Sequence, residues 1–143
     1  MNTCFFIGHR DAPVELIPKL EEAVLTHITQ HGVTTFIVGH YGNFDHMAAQ
    51  AVIKAKEKYR NITLFRLLPY RTESRMEYLP EGFNGVFCPF DKPISDSAAI
   101  PVANKYAINH CDYLIAHVCH EGNAKGFFEY AQTRSNLTIT NLV

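Results

Sequence analysis

Long apolar runs are missing from this chain: none approaches the roughly 20 residues that a membrane span needs. No charged-then-apolar leader opens it, and the two Asn-x-Thr sequons read as chance matches without one. Cysteine is sparse. Cys4, Cys88, Cys111 and Cys119 form no CxxC pair and no disulfide-dense stretch, so they read as reduced, mostly buried thiols. These absences predict a cytoplasmic protein with no membrane partner. An excess of either charge is lacking too: 13 basic residues against 14 acidic give a net charge of −1. Nucleic-acid affinity rests on neutralising many phosphates, so this balance predicts a small-molecule partner and no nucleic acid. GxSxG, HExxH and paired-carboxylate signatures are absent, as are GxGxxG and the Walker pattern, and no cofactor is expected. With no repeat, low-complexity tract or linker, residues 1–143 read as one domain, its 47% apolar and 19% charged residues those of an ordinary globular protein.

The pattern that is present alternates strand with helix. Residues 3–7 form an apolar strand stopped by Gly8, and Leu16, Leu20, Val24 and Ile28 carry helical spacing through 14–31, up to Gly32. Pro13 or Pro18 suits the first turn of that helix. A second strand covers 34–38, and a second helix from about Asp45 has the small stripe Ala48, Ala51, Val52, Ala55 and Tyr59. Strands at 62–68 and 86–88 follow, separated by a polar loop or short helix over 70–82. A helix over 98–110, a strand over 113–118, a helix over 125–133 and a strand over 137–142 complete the chain. The expectation is an α/β, Rossmann-like open parallel sheet of about five or six strands, with helices on both faces.

Three glycine-bearing turns follow strands one, two and five: Gly8-His9-Arg10, Gly39-His40-Tyr41-Gly42-Asn43-Phe44-Asp45, and Gly122-Asn123-Ala124-Lys125-Gly126. Right-handed crossovers put them on one edge of the sheet, where open α/β sheets bind ligands. Glycine turns that open helices leave backbone N–H groups for an anion, so a phosphorylated ligand is predicted. Arg10 can pair with a phosphate, and a Cβ at Gly42 is expected to block close backbone approach to the ligand. Asp45 reads either as a helix N-cap or as a ribose-binding carboxylate. Glu129, one turn into the last helix, either complements the helix dipole or acts on the sugar as an acid or electrostatic stabiliser.

His110, Cys111, His117, Cys119 and His120 crowd one stretch. On a strand His117 and Cys119 share a face that His120 opposes, and the spacing fits no zinc pattern, so no metal is expected. His117, at the strand end, is a candidate ligand contact.

With these motifs placed, the chain resembles the SLOG superfamily of Rossmann-like nucleotide-binding proteins, which takes in the LOG phosphoribohydrolases and the DNA-processing protein A family. The YpsA-like group within it is the most similar. Cys4-Phe5-Phe6-Ile7-Gly8-His9-Arg10 resembles that group's C-F-x-G-H-R, and Gly39 to Asp45 occupies its G-G-x-x-G-x-D position, with His40 for a glycine. Asn104-Lys105-Tyr106 through Cys111-Asp112-Tyr113-Leu114-Ile115-Ala116 is similar to its N-x-Y-x-x-x-x-S-D-x-L-I-A stretch. Against the hydrolases' P-G-G-x-G-T-x-x-E, the segment from Glu121 keeps Gly122 and Glu129 but carries Asn123, Lys125 and Gly126 at the other defining positions.

The resemblance implies a nucleotide or ADP-ribose-like ligand, held as by a sensor or sequestering module, and a homodimer. Gly8, Gly39, Gly42 and Gly122 would hold phosphates with Arg10 and Lys125. Asn43, Asp45 and Glu129 would read the ribose, and Tyr41 or Phe127 would stack on the base. His9, His40, Asn123 and Gly126 complete the expected contacts. The alternative is an N-glycosidic hydrolase of nucleoside monophosphates with Glu129 as its catalytic residue.

Overall fold

The computed structural model describes residues 2–40, 42–69, 79–89 and 96–143. Tyr41 and the polar stretch 70–78 lie outside them. Six strands form one sheet: β1 (Thr3–Gly8), β2 (Thr35–Val38), β3 (Thr63–Leu67), β4 (Gly85–Phe87), β5 (Tyr113–His117) and β6 (Thr138–Asn141). Every pairing is parallel and the order is β4-β3-β2-β1-β5-β6. Among the described residues four α-helices accompany it, α1 (Ile17–His31), α2 (Asn43–Lys56), α3 (Asp96–Asn109) and α4 (Asn123–Gln132). This is the expected Rossmann-like α/β architecture.

Alternation along β1 builds both halves of the core, as side chains two apart share a face. Cys4 and Phe6 pack with Leu20 and Val24 of α1 and with Ala48 and Val52 of α2. Phe5 and Ile7 pack with Ala103 and Ala107 of α3 and with Ala131 of α4. β1 is therefore buried on both faces, which is why its sequence is apolar without polar alternation. Of the two candidate prolines, Pro18 occupies the first turn of α1, where its missing N–H costs nothing. Pro13 precedes a short 3-10 turn, Val14–Leu16. Gly32 ends α1 in the left-handed conformation, φ 68°, its N–H donating to the His27 carbonyl.

The chain runs outward from β1 through β2 and β3 to β4, then returns to place β5 on the other side of β1. The order therefore reverses between β1 and β5, where a doubly wound sheet leaves a crevice beyond its strand ends. Their register brings Gly8 opposite His117, so the loops leaving both strands start at one level.

Two packing details have measurable consequences. A Cβ at Gly8 would lie 2.2 Å from Cγ of Phe44, a fully buried side chain of α2. Gly8→Ala should thus cost about 1–3 kcal/mol through overpacking, read as a lower urea midpoint. His27 is 2% exposed: its Nδ1–H donates to the Ala23 carbonyl at 2.7 Å, while Nε2 is buried without a hydrogen bond. Burial pushes its pKa below the ordinary histidine value, and the neighbouring His31 adds to the shift. The unfolded chain then takes up the proton first, so stability falls as pH drops below about 6.5 and through the depressed native pKa. His27→Leu should flatten that dependence in thermal melts between about pH 7.5 and 5; an unchanged slope would count against this assignment.

Candidate functional site

A cavity of about 750 Å³ opens at the reversal between β1 and β5. The β1 turn contributes Gly8, His9, Arg10 and Asp11, and the start of α2 contributes Gly42 and Asp45. The β5–α4 segment adds His120, Gly122, Asn123, Ala124, Gly126 and Phe127. A wall from α3, comprising Ile100, Pro101, Asn104 and Lys105, closes the other side.

Two helices begin at this cavity. Gly42 is the N-cap of α2 and Gly122 that of α4, and neither helix has a side-chain cap. An uncapped N-terminus presents backbone N–H groups and the positive end of the helix dipole. Asp45 sits in the first turn of α2, with Gly42 in the N-cap position. Gly122 has φ 148°, which favours glycine, although a Cβ there would meet nothing within 4 Å.

His9 ties the two sides of the crevice together. It is 4% exposed, and its Nε2 accepts the backbone N–H of Cys119 at 2.9 Å and that of His120 at 3.3 Å. Accepting at Nε2 requires a lone pair there, so the ring is neutral with its proton on Nδ1. Burial lowers its pKa in the same sense, reinforced by His120 and His117. The His120 ring stacks on His9, centroids 3.6 Å apart. Its Nδ1 lies 2.6 Å from the Glu121 carbonyl and its Nε2 3.2 Å from the Asp11 carboxylate. Both ring nitrogens face acceptors, first the Glu121 carbonyl and then Asp11, which raises its pKa and favours the cation.

A Cβ at Gly42 would lie 2.6 Å from Cα of Arg10, and the Asn43 N–H donates to the Arg10 carbonyl at 3.0 Å. The close approach at Gly42 is thus to the backbone of the first turn. Its glycine lets the first two turns pack against each other.

The structure brings Gly8, His9, Arg10, Gly42, Asp45, Gly122, Asn123, Gly126 and Phe127 to the cavity lining. Gly39 is buried behind the second turn, and His40 and Asn43 are exposed outside the lining, as is Glu129 on α4. His117 is buried below His9, their rings 5.7 Å apart. Lys125 forms an i,i+4 ion pair with Glu121, so its charge is already engaged. Tyr41 lies outside the described residues. Sequence reasoning missed the α3 wall. Asn104 and Lys105 lie inside helix α3 and not in a glycine turn, so no turn motif marks them. Asn104, 5% exposed, donates to the Ile100 carbonyl at 3.0 Å and stiffens that wall. Among the described residues, no helix is long and apolar enough to cross a membrane.

No family model matches the sequence, and no curated protein matches it. Solved structures do. DNA processing protein A from Streptococcus pneumoniae superposes with a TM-score of 0.66 at 12% identity, over 97% of this chain and 50% of that one. DNA processing protein A from Helicobacter pylori, solved for its single-stranded DNA binding mode, gives 0.60 at 14% identity, over 96% of this chain and 64% of that one. This chain thus spans about half to two thirds of the length of these neighbours. The likeness shows a shared Rossmann-like α/β fold. The H. pylori protein also overturns the expectation of a small-molecule partner and no nucleic acid, because a protein of this fold binds single-stranded DNA. The physical reason is that net charge averages over the whole surface, whereas strand binding depends on the charge at one edge. At that edge Arg10 and Lys105 meet two helix N-termini.

Proposed function

We propose that this chain binds single-stranded nucleic acid by seating a nucleotide unit in the cavity between β1 and β5. The observation that carries the reading is the pair of glycine-capped helix N-termini, at Gly42 and Gly122, which open on one cavity beside Arg10 and Lys105. Backbone N–H groups and two cations suit a phosphate that is already esterified, since they ask for negative charge and not for a particular substituent. In this reading Asn123 faces the sugar, and Phe127, partly buried in the cavity wall, offers a stacking surface to the base. The single-stranded DNA binding of the H. pylori neighbour supports a strand as the source of that unit. A free nucleotide or ADP-ribose-like compound carries the same phosphate, ribose and base, and the test separates the sources.

The measurement is fluorescence anisotropy of a labelled single-stranded oligonucleotide over a range of salt, with a duplex, nucleoside monophosphates and ADP-ribose as competitors. The strand should bind saturably and more tightly than any competitor, with affinity falling as salt rises. Lys105→Ala should weaken binding alike for all sequences and lower the salt slope by about 1. Phe127→Ala should cost about tenfold with little change of slope. Stronger binding of a mononucleotide than of the strand would sink the strand reading, and release of free base would indicate hydrolysis.

Gly42→Ala gives a second check. Its Cβ collides with the Arg10 backbone, so it should lower both strand affinity and melting temperature. Unchanged affinity would show that Arg10 does not contribute.

A further inference from the structure

The crevice holds a group of side chains that nucleotide binding does not use. His9, Cys119 and His120 each offer one donor atom, and these atoms all lie within 4.8 Å of one another. His117 adjoins them, its Nε2 4.0 Å from Sγ of Cys119. His117 is 9% exposed, and its Nδ1 is buried without a hydrogen bond. A thiol thus stands among three imidazoles, one of them with an unpartnered nitrogen. The cluster escapes a spacing search because His9 comes from the turn after β1, 110 positions before Cys119.

We propose that His9, Cys119 and His120 bind a divalent d-block cation, Zn²⁺ being the best match to the donors. Two imidazoles and a thiolate make a borderline-soft set, which suits zinc and discriminates against Mg²⁺ and Ca²⁺. Tetrahedral zinc, with Zn–S near 2.3 Å and Zn–N near 2.0–2.1 Å, places its donors about 3.3–3.6 Å apart. The cluster must therefore contract by roughly an ångström from its outer limit. His9 is held in the core, and the movement falls to Cys119 and His120, both exposed. A cation bound to both imidazoles must lie in both ring planes, whereas the His9 and His120 rings stack nearly parallel, 11° between planes, and His120 must also give up a ring proton. Binding consequently turns the His120 ring. If it ligates through Nδ1, Nε2–H keeps Asp11 as its partner, the carboxylate–histidine–zinc arrangement of many zinc sites.

The cation also competes for the His9 Nε2 lone pair, which now accepts two backbone N–H groups. Loading would free the amides of Cys119 and His120 beside the cavity. Three protein donors leave a fourth position for water or for an oxygen of a ligand. Metal occupancy and anion binding are thereby linked at the mouth of the cavity, although the cation site itself does not depend on the nucleotide reading.

The test uses the whole chain after chelator dialysis, with no nucleotide present. Co²⁺ is titrated in and followed by absorption, then displaced by Zn²⁺, with stoichiometry from calorimetry. The expected result is one equivalent, a thiolate-to-cobalt charge-transfer band and the intense ligand-field bands of a tetrahedral site. Cys119→Ser should abolish the charge-transfer band, and His120→Gln should weaken binding at least about tenfold. Both residues are exposed, so these variants should fold even if His9→Gln does not. Cys88→Ser should leave the spectrum unchanged. Absence of cobalt–thiolate absorption at one equivalent, or its survival in Cys119→Ser, would overturn the proposal.

Discussion

The turn after β1 is held from two sides, and the rest of the site depends on that grip. On one side Gly8 accepts the ring of Phe44 and the backbone of Arg10 accepts Gly42, which sets α2 against the strand end. On the other, His9 takes hydrogen bonds from the β5 loop. Three successive residues thus position the second and third turns relative to the first. A doubly wound sheet opens a crevice where its order reverses; in this chain contacts within a few residues of Gly8 give that crevice a defined shape. The buried histidine is stable there only while neutral, because a second ring proton would face two backbone donors.

Much of this was legible in the sequence. The apolar run before Gly8, the spacing of Leu20 and Val24, and the small stripe on α2 are direct consequences of burial against a sheet, and each formed the element expected of it. Placing the glycine turns on one edge needed only the handedness of crossovers. The reasons for individual glycines were harder to see. Gly8 and Gly42 avoid collisions with Phe44 and Arg10, and such contacts depend on packing between distant segments that spacing does not encode. The same limit hid the joining of His9 to Cys119 and His120, and the part played by Asn104 and Lys105. Those residues reach the site because α3 crosses the crevice, a fact of topology and not of motif.

Charge proved the least transferable inference. A balanced total is compatible with a local excess, and here acidic groups near the cavity have partners of their own. Asp11 is engaged by His120 and Glu121 by Lys125. These exposed pairs add little stability, but they quench charge locally. The field at the cavity then combines Arg10, Lys105 and the ends of α2 and α4 with the opposing carboxylate of Asp45 in the first turn of α2.

The two glycines of the last turn answer to different demands. Gly122 is fixed by its backbone angle, φ 148°, which favours glycine. Gly126 has no such constraint: it lies inside α4 at an ordinary helical angle, and a Cβ there would touch nothing within 4 Å. Glycine within a helix forfeits about 1 kcal/mol relative to alanine. What the position provides instead is emptiness, since Gly126 lies in the cavity wall. Helix α4 is weakened at the turn where it borders the cavity, and the space that a side chain would fill is left to whatever the cavity receives.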